Sequence, residues 1–203
     1  MKRPTIALDA DGVLLDYSLA YAHAWQRAFG ILPQEIDPQA YWPMQRWGVE
    51  QLTGERRQQF RDCMDETFWS TIPALDKAVE ACHRLHDAGF HLVCVTALQP
   101  QFEQARLRNL RDLGFPIETV IATGGDVSGR SPKANAVDQL APVAFVDDYL
   151  PYFKGIRPDV HLALIHPGRN GTPNVGPDLD AVHSQHESLW EFSEWVLKQP
   201  NLR

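Results

Sequence analysis

Cysteine is scarce in this chain: three residues, Cys63, Cys82 and Cys94, none in a Cys-x-x-Cys spacing. That excludes a disulfide framework of the kind that staples small secreted domains, and it fits a reducing compartment. Cys94 lies in an apolar run and Cys82 in a helical pattern, so buried thiols are expected. Long apolar runs are also missing. None approaches the ~20 residues that span a bilayer, and no membrane partner is expected. Met1-Lys2-Arg3 carries the charge of a leader peptide, but Asp9 and Asp11 interrupt the apolar core that a leader needs. The expected location is cytoplasmic. A basic stripe is absent as well. Lys and Arg number 19 against 26 Asp and Glu, for a formal net charge of −7. A nucleic-acid binder carries a concentrated positive face, so nucleic acid is not an expected partner. A small phosphorylated metabolite remains compatible, because net charge governs solubility and steering rather than one local site. No internal repeat or low-complexity tract is visible.

What is present describes an ordinary globular chain. Its 203 residues suit one domain with an insertion, and a 44% hydrophobic, 22% charged composition can build a sizeable core. The stretch Thr5-Ile-Ala-Leu-Asp-Ala-Asp-Gly-Val-Leu-Leu-Asp16 opens it. An apolar run ends in two carboxylates, Asp9 and Asp11, and Gly12 follows; this reads as a buried strand entering a tight turn. Four later runs read as strands: Phe90 to Thr96, Ile117 to Ala122, Val143 to Asp147 and Val160 to Ile165. Helical patterns cover Ala74 to Ala88, Gln101 to Leu113 and Ser188 to Leu197, with a further helix start at Ser131-Pro132. Alternating strands and helices predict an α/β fold with a Rossmann-like parallel sheet.

One region breaks the alternation. Between Tyr17 and Ile72 no strand pattern appears, only helical stretches at Leu19 to Phe29, Gln45 to Leu52 and Glu55 to Trp69. This is too long for a crossover. It reads as a helical subdomain spanning 17–72, inserted into a core made of 1–16 and 73–203.

Parallel sheets place sites at the carboxyl ends of their strands. Those ends carry Asp9 and Asp11, then Thr96, then Thr123 with Gly124 and Gly125, then Asp147 and Asp148. Lys133 opens the helix after the third of these strands. Carboxylates that hold a divalent cation and supply a nucleophile, together with a hydroxyl and a lysine for the other oxygens, suit phosphoryl transfer.

The same four elements resemble the haloacid dehalogenase superfamily. Asp9-Ala-Asp-Gly-Val13 resembles its D-x-D-G-[TV] motif. Val95-Thr96 resembles the second motif, Lys133 within Ser131-Pro-Lys the third, and Phe145-Val-Asp-Asp148 the fourth. The insertion lies where this superfamily places a cap. The resemblance implies a Mg²⁺-dependent phosphatase acting on a small phosphomonoester. Asp9 would be the nucleophile and form an aspartyl-phosphate, with Asp11 as general acid and then general base. Asp9, Asp147 and the backbone carbonyl of Asp11 would hold Mg²⁺, with Asp148 either a further ligand, directly or through water, or a group supporting the ligands from behind. Thr96, the Ala97 N–H and Lys133 would bind the phosphoryl oxygens. Ala97 stands where many members carry a small polar residue. Asp11 argues against dehalogenation, which does not need an acid/base at that position. The competing readings are a nucleoside 5′-monophosphate phosphatase and, in another class, a non-catalytic phosphate-binding or phospho-switch protein.

Other candidates carry plainer readings. Trp25, Trp42, Trp47 and Trp69 read as the core of the helical region, with stacking on an aromatic leaving group as the alternative. Arg46, Arg56 and Arg57 read as a solvated face. His183 and His186 read as a surface pair on a possible helix. The stretch from Gly124 to Lys133 does not fit a phosphate loop. Pro167 to Asp178 reads as a surface loop on the catalytic edge, where Arg169 or Asn170 could reach substrate.

Overall fold

The computed structural model describes residues 3–125 and 129–202. Part of the Gly124 to Lys133 stretch, residues 126–128, lies outside that range.

Six parallel strands form one sheet in the order β3-β2-β1-β4-β5-β6. They are β1 (Thr5–Leu8), β2 (His91–Thr96), β3 (Val120–Ala122), β4 (Ala144–Asp147), β5 (His161–Ile165) and β6 (Ser184–His186). The central strands are apolar on both faces because both are covered. Ile6, Leu8, Leu92 and Cys94 point into one core, and Ala7, Val93, Val95 and Phe145 into the other. Cys82 and Cys94 are buried, and burial pushes the Cys94 thiol up to about 12.

The helices are α1 (Tyr17–Phe29), α2 (Pro43–Arg46), α3 (Gly54–Asp62), α4 (Glu66–Ser70), α5 (Ala78–Asp87), α6 (Glu103–Asp112), α7 (Ala134–Leu140) and α8 (Leu189–Val196). No helix among the described residues is long and apolar enough to cross a membrane.

Several elements differ from the sequence expectation, each for a local reason. The stretch from Glu55 to Trp69 is two helices, because Asp65 accepts a hydrogen bond from the Phe68 N–H and starts a new one. The helix expected over Gln45 to Leu52 ends at Arg46; Gly48 adopts φ +55° and turns the chain. Ile117 to Ala122 is a strand only from Val120. His186 is in strand β6 and His183 directly precedes it, rather than lying on a helix. β6 extends the sheet beyond β5, pairing Ala163 with Ser184 and Ile165 with His186. Its sequence, Ser-Gln-His, carries no strand propensity, and pairing with β5 creates it.

Residues 17–72 add no strand to the sheet. Their helices close on Tyr21, Trp25, Phe29 and Phe60, with Tyr21 and Phe60 ring centroids 4.8 Å apart. Trp47 is buried and donates its indole N–H to the Ser18 carbonyl at 2.7 Å. Two antiparallel strands of backbone form the neck of this insertion. Asp16 N–H donates to the Pro73 carbonyl at 2.8 Å, and Leu75 N–H donates to the Leu14 carbonyl at 2.9 Å. Asp16 then caps α1 through the Leu19 N–H.

Candidate active site

The pairing of β1 with β4 fixes the floor of the site. Leu8 aligns with Val146, and the Asp9 N–H donates to the Val146 carbonyl at 2.9 Å. The carboxylates that follow these two strands therefore emerge side by side. Asp9, Asp147 and Asp148 each present an oxygen within 4.8 Å of the others. Lys133, fully buried at the start of α7, reaches between two of them: its Nζ lies 2.6 Å from Asp9 Oδ1 and 2.7 Å from Asp147 Oδ2.

Three carboxylates against one ammonium leave this cluster short of positive charge. Burial raises the pKa of the Asp147 carboxyl well above the usual carboxylate range even with Lys133 beside it. Asp148 is also held well above the usual range, by burial and then by the charges of Asp147 and Asp9. Lys133 stays charged: burial opposes its charge, but Asp147 and Asp9 overcome that and raise its pKa. An all-oxygen donor set with excess negative charge fits Mg²⁺. The fit is also steric. Gly12 has φ +89°, and a Cβ there would run into the Asp148 carboxylate. Any other residue at that position would strain the turn and displace the cluster.

Asp11 lies apart from the three-carboxylate cluster. Its carboxylate takes a hydrogen bond from Arg106 Nη2, at 2.9 Å to Oδ1 and 3.1 Å to Oδ2. Burial raises the Asp11 pKa, and Arg106 opposes the rise. Arg106 is a site residue that the sequence reading missed. It is fully buried on α6, with Trp69 stacked 5.4 Å from its guanidinium carbon. The signal was present. Phe102, Arg106, Leu110 and Leu113 share one helical stripe, and a single charge within an apolar stripe asks for a buried partner. Asn174 was missed as well. It is buried, donates to the Asp148 carbonyl at 2.7 Å and accepts from the Leu150 N–H at 2.8 Å, which pins the turn after β4. Nothing in its Pro/Gly-rich surroundings marks it.

Above the floor is a cavity of about 420 Å³, lined by Asp9, Asp11, Thr96, Ala97 and Asp148 below. Its remaining wall includes Tyr17, Tyr41, Trp42, Trp69, Tyr149 and Tyr152. The four tryptophans of the insertion thus divide. Trp25 and Trp47 are buried, whereas Trp42 and Trp69 line the cavity. Arg46, Arg56 and Arg57 do not line it; Arg46 pairs with Glu35 at 2.6 Å and Arg56 with Glu50 at 2.8 Å. Arg169 does line it, while Asn170 straps the loop after β5 to the insertion. Its side chain donates to Asp37, and its carbonyl accepts from the Tyr41 N–H at 2.9 Å. Tyr41 in turn donates to the Asp148 carbonyl at 3.3 Å.

No family model matches the chain, and a search of curated proteins also finds no match. Solved structures do. The haloacid dehalogenase-like family protein SP0104 from Streptococcus pneumoniae superposes with a TM-score of 0.64 at 17% identity, over 96% of this chain and 99% of that one. L-2-haloacid dehalogenase from Xanthobacter autotrophicus gives 0.62 at 14%, over 97% and 99%. YfnB from Bacillus subtilis, described bound to magnesium, gives 0.59 at 15%, over 97% and 100%. With its parallel sheet, its insertion after β1 and its acidic strand ends, the chain has the fold of the haloacid dehalogenase-like hydrolases.

Proposed function

We propose that this protein is a Mg²⁺-dependent phosphatase that hydrolyses a small phosphomonoester through an aspartyl-phosphate on Asp9. The observation that carries the reading is the convergence of Asp9, Lys133, Asp147 and Asp148 beneath one cavity, with Asp11 and Thr96 beside them. Asp9 attacks phosphorus as the ester P–O bond breaks, and Asp11 gives its proton to the departing oxygen. Asp11 then takes a proton from the water that attacks the phosphoryl group, which frees Asp9 and releases phosphate. Thr96 and the Ala97 N–H hold the non-transferring oxygens, and Lys133 offsets the charge that gathers on them. Asp9, Asp147 and Asp148, with the Asp11 carbonyl, would hold Mg²⁺, which supplies Lewis-acid stabilisation of the transferring group. Dehalogenation is the less suitable chemistry, because it leaves Asp11 without a task.

The test is turnover of a panel of small phosphomonoesters with Mg²⁺, alongside Asp9→Asn. Phosphate release that falls by roughly 10⁴-fold or more in the variant supports the reading. No release from any ester, or an Asp9→Asn variant as active as wild type, overturns it. Stable phosphorylation of Asp9 without turnover would instead identify a phospho-switch.

A further inference from the structure

Six aromatic side chains line one cavity. Trp69 is already engaged, by Tyr17 at 6.1 Å and by the Arg106 guanidinium, and Tyr152 has the Lys133 ammonium 4.4 Å from its ring. Trp42 differs. It contacts Tyr41 at 4.9 Å and Tyr149 at 6.4 Å, both edge-to-face, lines the cavity, and is 42% exposed as a residue. The insertion had an interior for tryptophan, since Trp25 and Trp47 fill it. An indole left open in a concave wall is uncovered apolar surface in the place where a ligand covers most. The cavity volume, about 420 Å³, falls within the range that holds a ligand larger than a three-carbon phosphate.

We infer that the leaving group carries a planar aromatic ring, a nucleobase or a substituted arene, stacked on Trp42 while the phosphate sits over Asp9. The inference rests on the phosphatase reading and names the substrate class of that site.

The experiment compares esters matched in their leaving oxygen. Adenosine 5′-monophosphate and ribose 5-phosphate differ in the base; benzyl phosphate and cyclohexylmethyl phosphate differ in aromaticity. With Mg²⁺ and wild-type protein, the aromatic member of at least one pair should have the higher kcat/KM, by about 5- to 150-fold as base–aromatic stacking supplies. A preference in the first pair alone identifies a nucleobase, and one in the second pair as well identifies arenes in general. In Trp42→Leu the preference should shrink, with the change in KM; Trp42→Phe should restore part of it. Parity within both pairs, or a preference that Trp42→Leu leaves untouched, overturns the inference while the phosphatase reading stands. Absence of turnover with all four esters overturns the inference, and absence across the whole panel of small phosphomonoesters overturns the phosphatase reading as well.

Discussion

The floor and the roof of the cavity are built on opposite principles. The floor is a set of charges held by parallel strand pairing. Asp9 and Asp147 are buried and Lys133 is fully enclosed between them, so none can move without leaving another charge unpaired. The roof is aromatic and partly exposed, and it joins the core through Tyr41 to the Asp148 carbonyl, the Asn170 strap to Asp37 and Tyr41, the Arg108–Glu66 ion pair and the Asn109 side chain donating to the Ile72 carbonyl. Its neck is two short lengths of paired backbone. On the proposed reading, the chemistry sits on strand ends held by buried ion pairs, and recognition sits on the aromatic wall that the insertion contributes.

The comparison can be broken at either level. The largest effect is expected at the floor with Asp11→Asn. Turnover should fall by about 10²- to 10⁴-fold, as for loss of a general acid/base. Mg²⁺ affinity measured by titration calorimetry should hold, because the Asp11 side chain lies outside the three-carboxylate cluster. Equal loss of Mg²⁺ affinity would make Asp11 part of the metal site instead. Next comes Lys133→Met, which leaves Asp9 and Asp147 facing each other without a cation. Loss of one partner from a buried ion pair costs about 3–5 kcal/mol, read as a lower denaturation midpoint. Mg²⁺ should raise that midpoint, since it binds only the folded cluster.

The roof should answer differently. Asn170→Ala removes the strap to Asp37 at a cost of about 1 kcal/mol or less in stability, because the contact is exposed. Its kinetic effect should appear in KM rather than kcat. A drop in kcat matching that of a floor variant would show that the two levels are not separable.

The smallest effect lies away from both, at the β5–β6 edge. Burial, with the neighbouring His183 and His186, lowers the His161 pKa from 6.5 to about 4. Between those values the unfolded chain binds a proton that the folded chain does not, so stability should fall as pH drops from 6.5 towards 4. His161→Phe should flatten that limb in acid-denaturation curves and leave the midpoint above pH 7 little changed. An unchanged acid limb would remove His161 from the account.

The helix and strand pattern was readable because burial writes it directly. Strands covered on both faces are continuous apolar runs, as at β1, β2, β4 and β5, and their carboxyl ends had to carry any site the sheet possessed. That reasoning reached Asp9, Asp11, Thr96, Lys133, Asp147 and Asp148. β6 was unreadable, since Ser-Gln-His becomes a strand only by pairing with β5. The break at Asp65 was visible only as a capping residue inside a periodic stretch.

By itself, then, the sequence determined a parallel α/β core, an insertion after the first strand, and the acids, hydroxyl and lysine at the strand ends. Local periodicity and burial fix all of these. Tertiary structure alone decided that Arg106 meets Asp11, that Asn174 holds the turn of Asp148, and that Trp42 faces the cavity while Trp25 and Trp47 do not. Those outcomes depend on contacts between residues from 26 to 107 positions apart in the chain, such as Asn174 with Asp148 and Tyr41 with Asp148. No local pattern encodes which of several similar side chains will find such a partner.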